Sequence, residues 1–173
     1  MKYNSSPILI AISGVKNSGK TTLIERLIPR LSCEGLKVAT IKHDGHDFEC
    51  DIEGTDTFKH KKAGAYGTAI FSKNKFMVIK EQKHTNEEEL ISYFKDADII
   101  LLEGFKYSNY PKIEVIRQEN SSVSVCKEET LLAIASDIES LETNVKVINI
   151  NDIESIGKLI IEYVRRSKHE GCI

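Results

Sequence analysis

The chain has 173 residues, 40% hydrophobic and 29% charged, the balance of a folded globular domain rather than a disordered segment. Its 24 basic and 26 acidic side chains leave a net charge of −2, which argues against a nucleic-acid binder, since such proteins carry a basic excess. The apolar runs are far shorter than the ~18 residues of a membrane span, and the start MKYNSSPILIAISG reads as a first strand rather than a signal peptide. Four cysteines with no CxxC pair read as reduced thiols, so the expectation is a cytoplasmic protein with no membrane segment.

In chain order, Ile8–Ser13 reads as a buried strand, followed by a helix over Lys20–Cys33 with Leu23, Leu27, Ile28 and Leu31 at helical spacing. A second strand, Val38–Lys42, runs into a polar stretch, His43–Thr57, of the length that functional loops reach. Thr68–Phe71 and Phe76–Ile79 flank the polar turn Ser72-Lys-Asn-Lys75 and predict a β-hairpin. A helix over Asn86–Lys95, capped by Asn86, precedes a strand at Asp98–Leu102. Further strands are predicted at Leu132–Ser136 and Val145–Ile150, then a helix from about Asp152 to Ser167 with Asp152 as its cap. Continuous β-branched strands alternating with helices predict an α/β fold, a mostly parallel sheet between helical layers with the hairpin added. The expected organisation is one nucleotide-binding domain over residues 1–167, with the hairpin inserted near 67–80 and a frayed tail at 168–173.

The strongest motif is Gly14-Val-Lys-Asn-Ser-Gly19-Lys20-Thr21, a complete G-x-x-x-x-G-K-[ST] between a strand and a helix. Glycines at both ends let the backbone wrap so that N–H groups point inward at a helix N-terminus, a nest for phosphate. Gly14, Asn17, Ser18, Gly19, Lys20, Thr21 and Thr22 are therefore the candidate nucleotide-binding residues, with Lys20 on the β- and γ-phosphates and the Thr21 hydroxyl on Mg²⁺. A carboxylate is needed beside such a metal, and Asp98-Ile-Ile-Leu-Leu-Glu103-Gly104 places Glu103 at the carboxyl edge of a strand. In a parallel sheet Lys42 emerges on that same edge, where it reaches the phosphates, and Asp56 is a further candidate for the metal shell. Lys20 and Glu103 are the candidate catalytic pair.

Two rival chemistries carry less. His43, His46, Cys50 and His60 are transition-metal ligand types, but H-x2-H-x3-C is not a recognised zinc spacing and no cysteine pair closes it. Cysteine nucleophile chemistry at Cys50 leaves Lys20 and Glu103 without a role.

Taken together, Gly14-x4-Gly19-Lys20-Thr21, Thr40-Ile-Lys-His-Asp-Gly-His46, Asp51-x2-Gly-x-Asp56-Thr-x2-His60-x2-Ala63-Gly64-Ala65 and Leu102-Glu-Gly-Phe-Lys106 resemble the MobB family. These are molybdopterin-guanine dinucleotide biosynthesis adaptor proteins, and the resemblance runs from about Ile8 to Arg166. It implies a GTP-binding protein with weak GTPase activity, working with a nucleotidyltransferase that attaches GMP to the molybdenum–pterin cofactor. It also implies a homodimer, for which the hairpin Thr68–Ile79 is the candidate exchange element, and a Mg²⁺ ion surrounded by Thr21, Asp56 and Glu103.

No N-K-x-D guanine motif is present. Asp137, at the end of the strand Leu132–Ser136, is either a carboxylate that accepts from guanine N1 and N2 or the cap of a short following helix. A stand-alone small-molecule kinase or ATP-dependent ligase is the alternative function, though Arg26, Arg30, Arg117, Arg165 and Arg166 form no lid cluster. A metallochaperone GTPase is a third, without the tight Cys or His cluster such a protein needs.

Overall fold

An uncharged, apolar run, Ile-Leu-Ile-Ala-Ile ending in Ser13, makes β1, Ile8–Ser13, a central strand. In the computed structural model, which describes residues 6–45 and 48–170, β1 leads through the phosphate-loop motif into α1, Lys20–Cys33. The chain divides into two compact units, residues 44–86 forming one and the flanking segments the other.

The larger unit is a six-stranded parallel sheet in the order β2-β5-β1-β6-β7-β8. Its strands are β1, β2 at Val38–Lys42, β5 at Ile99–Glu103, β6 at Lys112–Ile116, β7 at Leu131–Ser136 and β8 at Val147–Asn149. Parallel pairing brings every strand's C-terminal end to one edge, and the strand order switches direction at β1, where α/β ligand crevices form. One sheet face carries Ile10, Ile12, Ile99, Leu101, Ile113 and Val115, packed beneath Leu23, Leu27 and Leu31 of α1 and Ile156, Ile160 and Val164 of α4, Ile153–Glu170. The other face carries Ala11, Ile41, Ile100 and Leu102, covered by Phe105, Tyr110 and Ile91, the last from the short helix α3, Glu87–Ser92.

β6 is absent from the sequence expectation because Lys112-Ile-Glu-Val-Ile-Arg117 alternates charge with apolar residues, the pattern of a half-exposed strand. Yet all five strand residues are buried. Lys112 is wholly enclosed, and its ammonium donates to the Ser108 carbonyl at 2.6 Å and the Phe105 carbonyl at 3.3 Å. Glu114 accepts from the Val125 N–H at 2.8 Å and from the Ser124 hydroxyl. Two buried charges are tolerated because loops supply their hydrogen bonds.

Other boundaries shift by a residue or more. The strand expected at Asp98–Leu102 is Ile99–Glu103, with the Asp98 carboxylate instead accepting from the Lys37 N–H at 2.8 Å. Val145–Ile150 contracts to three strand residues, and Asn86–Lys95 contracts to α3 followed by turns. The tail expected to fray from Lys168 stays helical through Glu170, and Lys168 pairs with Asp98 at 2.5 Å.

In the second unit the polar stretch after β2 ends in a helix the sequence pattern did not show, α2 at Asp56–Lys62. Thr55 caps it by accepting from the Phe58 N–H at 3.4 Å. The hairpin is present as β3, Gly67–Phe71, paired antiparallel with β4, Phe76–Lys80, in a two-stranded sheet of its own. No residue of α2, β3 or β4 is buried. Among the described residues no helix is long and apolar enough to cross a membrane.

Candidate functional site

The turn between β1 and α1 is built for an anion. Gly14 has φ +140°, and a Cβ there would lie 2.5 Å from the Val115 carbonyl oxygen of β6, so only glycine fits. Asn17 and Gly19 also take positive φ, 60° and 93°, which turns the loop tightly into the helix. Gly19 caps α1 without a side-chain hydrogen bond, and the first turn contains no acidic residue. A helix start that leaves its N–H groups and partial positive charge uncompensated is one prepared for a negative ligand. The Ser18 hydroxyl is buried in the same loop with no protein partner.

Lys20 lies over this loop, its ammonium donating to the Val15 carbonyl at 2.6 Å. Burial pushes its pKa down, the Glu103 charge pulls it back up, and Lys106 and Lys42 add smaller downward pushes. An anion seated beside Lys20 would favour its charged form. Thr21 donates its hydroxyl proton to Glu103 Oε1 at 2.7 Å. The two oxygens come from the first turn of α1 and the end of β5, and both are of the hard type that Mg²⁺ takes, so the pair fits that cation. Lys42 is the register partner of Glu103 across the β2–β5 ladder, at the same edge.

Past Glu103 the chain turns through Gly104, whose carbonyl accepts from the Ser13 hydroxyl, and Phe105, a non-glycine residue at φ +50°. Phe105 is held there by ring contacts to His43 at 5.7 Å and Tyr110 at 6.2 Å and by the Lys112 ammonium on its carbonyl. Strain of this kind persists only where the surroundings over-determine it.

Asp137 follows β7 on the same sheet edge. No helix begins there among the described residues, so its reading as a helix cap is wrong: the chain continues through bends to β8. Its Oδ1 accepts from the Gln118 N–H at 2.9 Å and its Oδ2 from Arg117 Nε at 2.6 Å. The Gln118 N–H, and after it the Arg117 guanidinium, hold this carboxyl below the ordinary range despite partial burial, so it is ionised at neutral pH.

The structure thus gathers Gly14, Asn17, Ser18, Gly19, Lys20, Thr21, Thr22, Lys42, Glu103 and Asp137 at one sheet edge. Asp56 belongs to the second unit, where it opens α2 with an exposed carboxylate 3.4 Å from Lys59. Of the rival metal ligands, His43 packs on Phe105, Cys50 is exposed, His60 lies in α2, and His46 falls outside the described residues. Among the described residues no three His, Cys, Asp or Glu side chains converge to hold a metal. Sequence reasoning missed Lys112, Arg117 and Asn120, all in or just after the unrecognised β6; the period-two alternation of 112–117 was the signal available.

A parallel sheet with a glycine-framed phosphate cradle at its switch point, and a lysine, threonine and carboxylate around it, defines an α/β protein of the phosphate-loop class. The model of the family described as molybdopterin guanine dinucleotide synthesis protein B matches residues 9–137, and the chain belongs to this family. It is 32% identical to the molybdopterin-guanine dinucleotide biosynthesis adapter protein of Escherichia coli K12, covering 91% of this chain and 94% of that one. The Haemophilus influenzae adapter protein is 34% identical over 91% of this chain and 89% of its own. The crystal structure of Bacillus subtilis MobB superposes with a TM-score of 0.72 at 26% identity, covering 90% of this chain and 96% of that one.

Proposed function

We propose that the protein is a cytoplasmic adapter in molybdopterin-guanine dinucleotide biosynthesis that binds GTP with Mg²⁺ and hydrolyses it slowly. In this reading it supports a separate nucleotidyltransferase that joins GMP to the molybdenum–pterin cofactor. The observation that carries the nucleotide role is the Thr21–Glu103 hydrogen bond beside Lys20, at a helix start with no side-chain cap and no acidic residue of its own in the first turn. Gly14 to Thr22 cradle the phosphates through backbone N–H groups, Lys20 exchanges its loop carbonyls for phosphate oxygens, and Lys42 adds charge at the rim. Thr21 and Glu103 would hold Mg²⁺, which would offset negative charge developing on the phosphates. Asp137, ionised and fixed in orientation, accepts from the paired N1 and N2 donors of guanine.

The relatives named above are called adapter proteins in molybdopterin-guanine dinucleotide biosynthesis, which supports the pathway assignment. The hairpin supports self-association: Ile70, Phe71, Phe76 and Val78 are exposed on a two-stranded sheet whose outer edges have no neighbouring strand among the described residues. A homodimer formed through β3 and β4 should fall to monomers in sedimentation when Phe71 is changed to Asp.

Calorimetry with GTP and ATP, each with and without Mg²⁺, tests the core of the reading. GTP should bind more tightly than ATP and more tightly with metal. Lys20→Ala should weaken GTP binding by about 2–4 kcal/mol, the cost of removing one partner of a hydrogen-bonded charge pair. Unchanged GTP affinity in that variant refutes the phosphate-site assignment, and a preference for ATP favours a kinase or ligase.

A further inference from the structure

Arg117 follows β6 and lies between the phosphate cradle and Asp137. Its Nη1 is 3.6 Å from the point a Cβ on Gly19 would occupy, while its Nε donates to Asp137. The turn it begins grips the cradle a second time, since Asn120 Nδ2 donates to the carbonyl of Asn17. That turn is tight: the N–H groups of Asn120 and Ser121 both donate to the Arg117 carbonyl, at 2.8 and 2.9 Å.

By itself this placement is unfavourable. A guanidinium beside the first residues of α1 faces the positive end of a 14-residue helix that has no acidic residue in its first turn. Asp137 offsets part of that repulsion, but the two side chains are 39% and 27% exposed, and pairs so wetted contribute little. Nε accounts for one of five N–H donors; the two Nη groups carry the other four. The planar fork of those donors matches the oxygens of a phosphate group, which also answers the helix charge and the unpartnered Ser18 hydroxyl in the loop.

We propose that Arg117 is a further nucleotide-binding residue: its Nη groups donate to a phosphate seated at Gly19 and Lys20 while its Nε remains on Asp137. This rests on the nucleotide-binding reading and adds a link within it, because one side chain then touches both the phosphates and the carboxylate assigned to the base. Phosphate and base recognition are coupled through a single guanidinium.

The test measures GTP and ATP affinity by calorimetry on the parent chain, Arg117→Met, Arg117→Lys and Lys20→Ala, with melting temperatures for each. Arg117→Met should weaken GTP and ATP alike, by about tenfold or more, as loss of a charge-assisted phosphate contact requires. Arg117→Lys, which keeps the charge and most of the packing, should recover part of that loss for both nucleotides. If Lys20→Ala loses affinity but Arg117→Met binds both nucleotides as the parent does, the proposal is overturned. A loss confined to GTP overturns it too, because Arg117 then acts only through Asp137. Failure of the parent to bind either nucleotide instead overturns the underlying nucleotide reading.

Discussion

Replacing Gly14 with alanine isolates the steric demand of the cradle. At φ +140° a Cβ is strained in any surroundings, and here it would also lie 2.5 Å from the Val115 carbonyl and 2.8 Å from the Ser18 hydroxyl. The backbone strain costs about 1–3 kcal/mol, and shifting packed neighbours adds about 1–3 kcal/mol. Val115 cannot yield cheaply, since it is buried in a strand laddered to β1 on one side and β7 on the other. The sum is roughly 2–6 kcal/mol, or a fall in melting temperature of roughly 5–20 °C for a chain of this size. Gly35 is the control: it has φ +78° just past α1 with nothing within 4 Å, so Gly35→Ala meets strain alone. It should cost about 1–2 kcal/mol and leave nucleotide binding intact. Thermal melts read the first quantity and GTP calorimetry the second. An equal melting shift in the two variants, with GTP affinity retained in Gly14→Ala, would refute the close approach of β1 and β6 at the cradle.

Glu103→Gln keeps the shape and the acceptor for Thr21 but removes the charge, so the Mg²⁺-dependent part of GTP affinity should shrink while metal-free affinity holds; undiminished metal enhancement removes Glu103 from the metal shell. Asp137→Asn should reduce a GTP preference of about ten- to a hundredfold over ATP, mainly by weakening GTP. Because its carboxyl sits below the ordinary value of 3.8 when folded, the stability it contributes is complete above that pH and is lost as pH falls through the lower folded value. The melting difference between parent and Asp137→Asn should therefore vanish in strong acid, and a difference that grows there contradicts the sign. Burial and, after it, the neighbouring Glu114 charge push the Cys126 thiol up to about 12, so in the folded protein it should resist alkylation near neutral pH. Cys33 and Cys50, both exposed, should label first in a mass-spectrometric time course, and equal labelling of all three would count against the buried Glu114 pocket.

The phosphate loop, β1, α1, β2 and the hairpin were legible because each rests on local information: glycine spacing, hydrophobic period and turn composition act over a few residues. Glu103 was legible on the same terms, as the first charge after four apolar residues. β6 was not, because Lys112 and Glu114 are charged residues inside a sheet. Only the carbonyls of the Phe105–Ser108 turn and the donors at Ser124 and Val125 make their burial tolerable, and those partners come from loops the strand's own sequence does not contain. Asp137 shows the same division. Its position after a strand was evident, but whether it capped a helix depended on what Gln118 and Arg117 offered from 20 residues or fewer away in sequence and one strand away in space. By itself the sequence determined that this chain carries a glycine-framed loop between β1 and α1 with a lysine, a threonine and a carboxylate beside it. The tertiary structure decided which charges are buried, which hold one another, and that Arg117 stands between the cradle and Asp137, because long-range hydrogen bonds and sheet register leave no period along the chain.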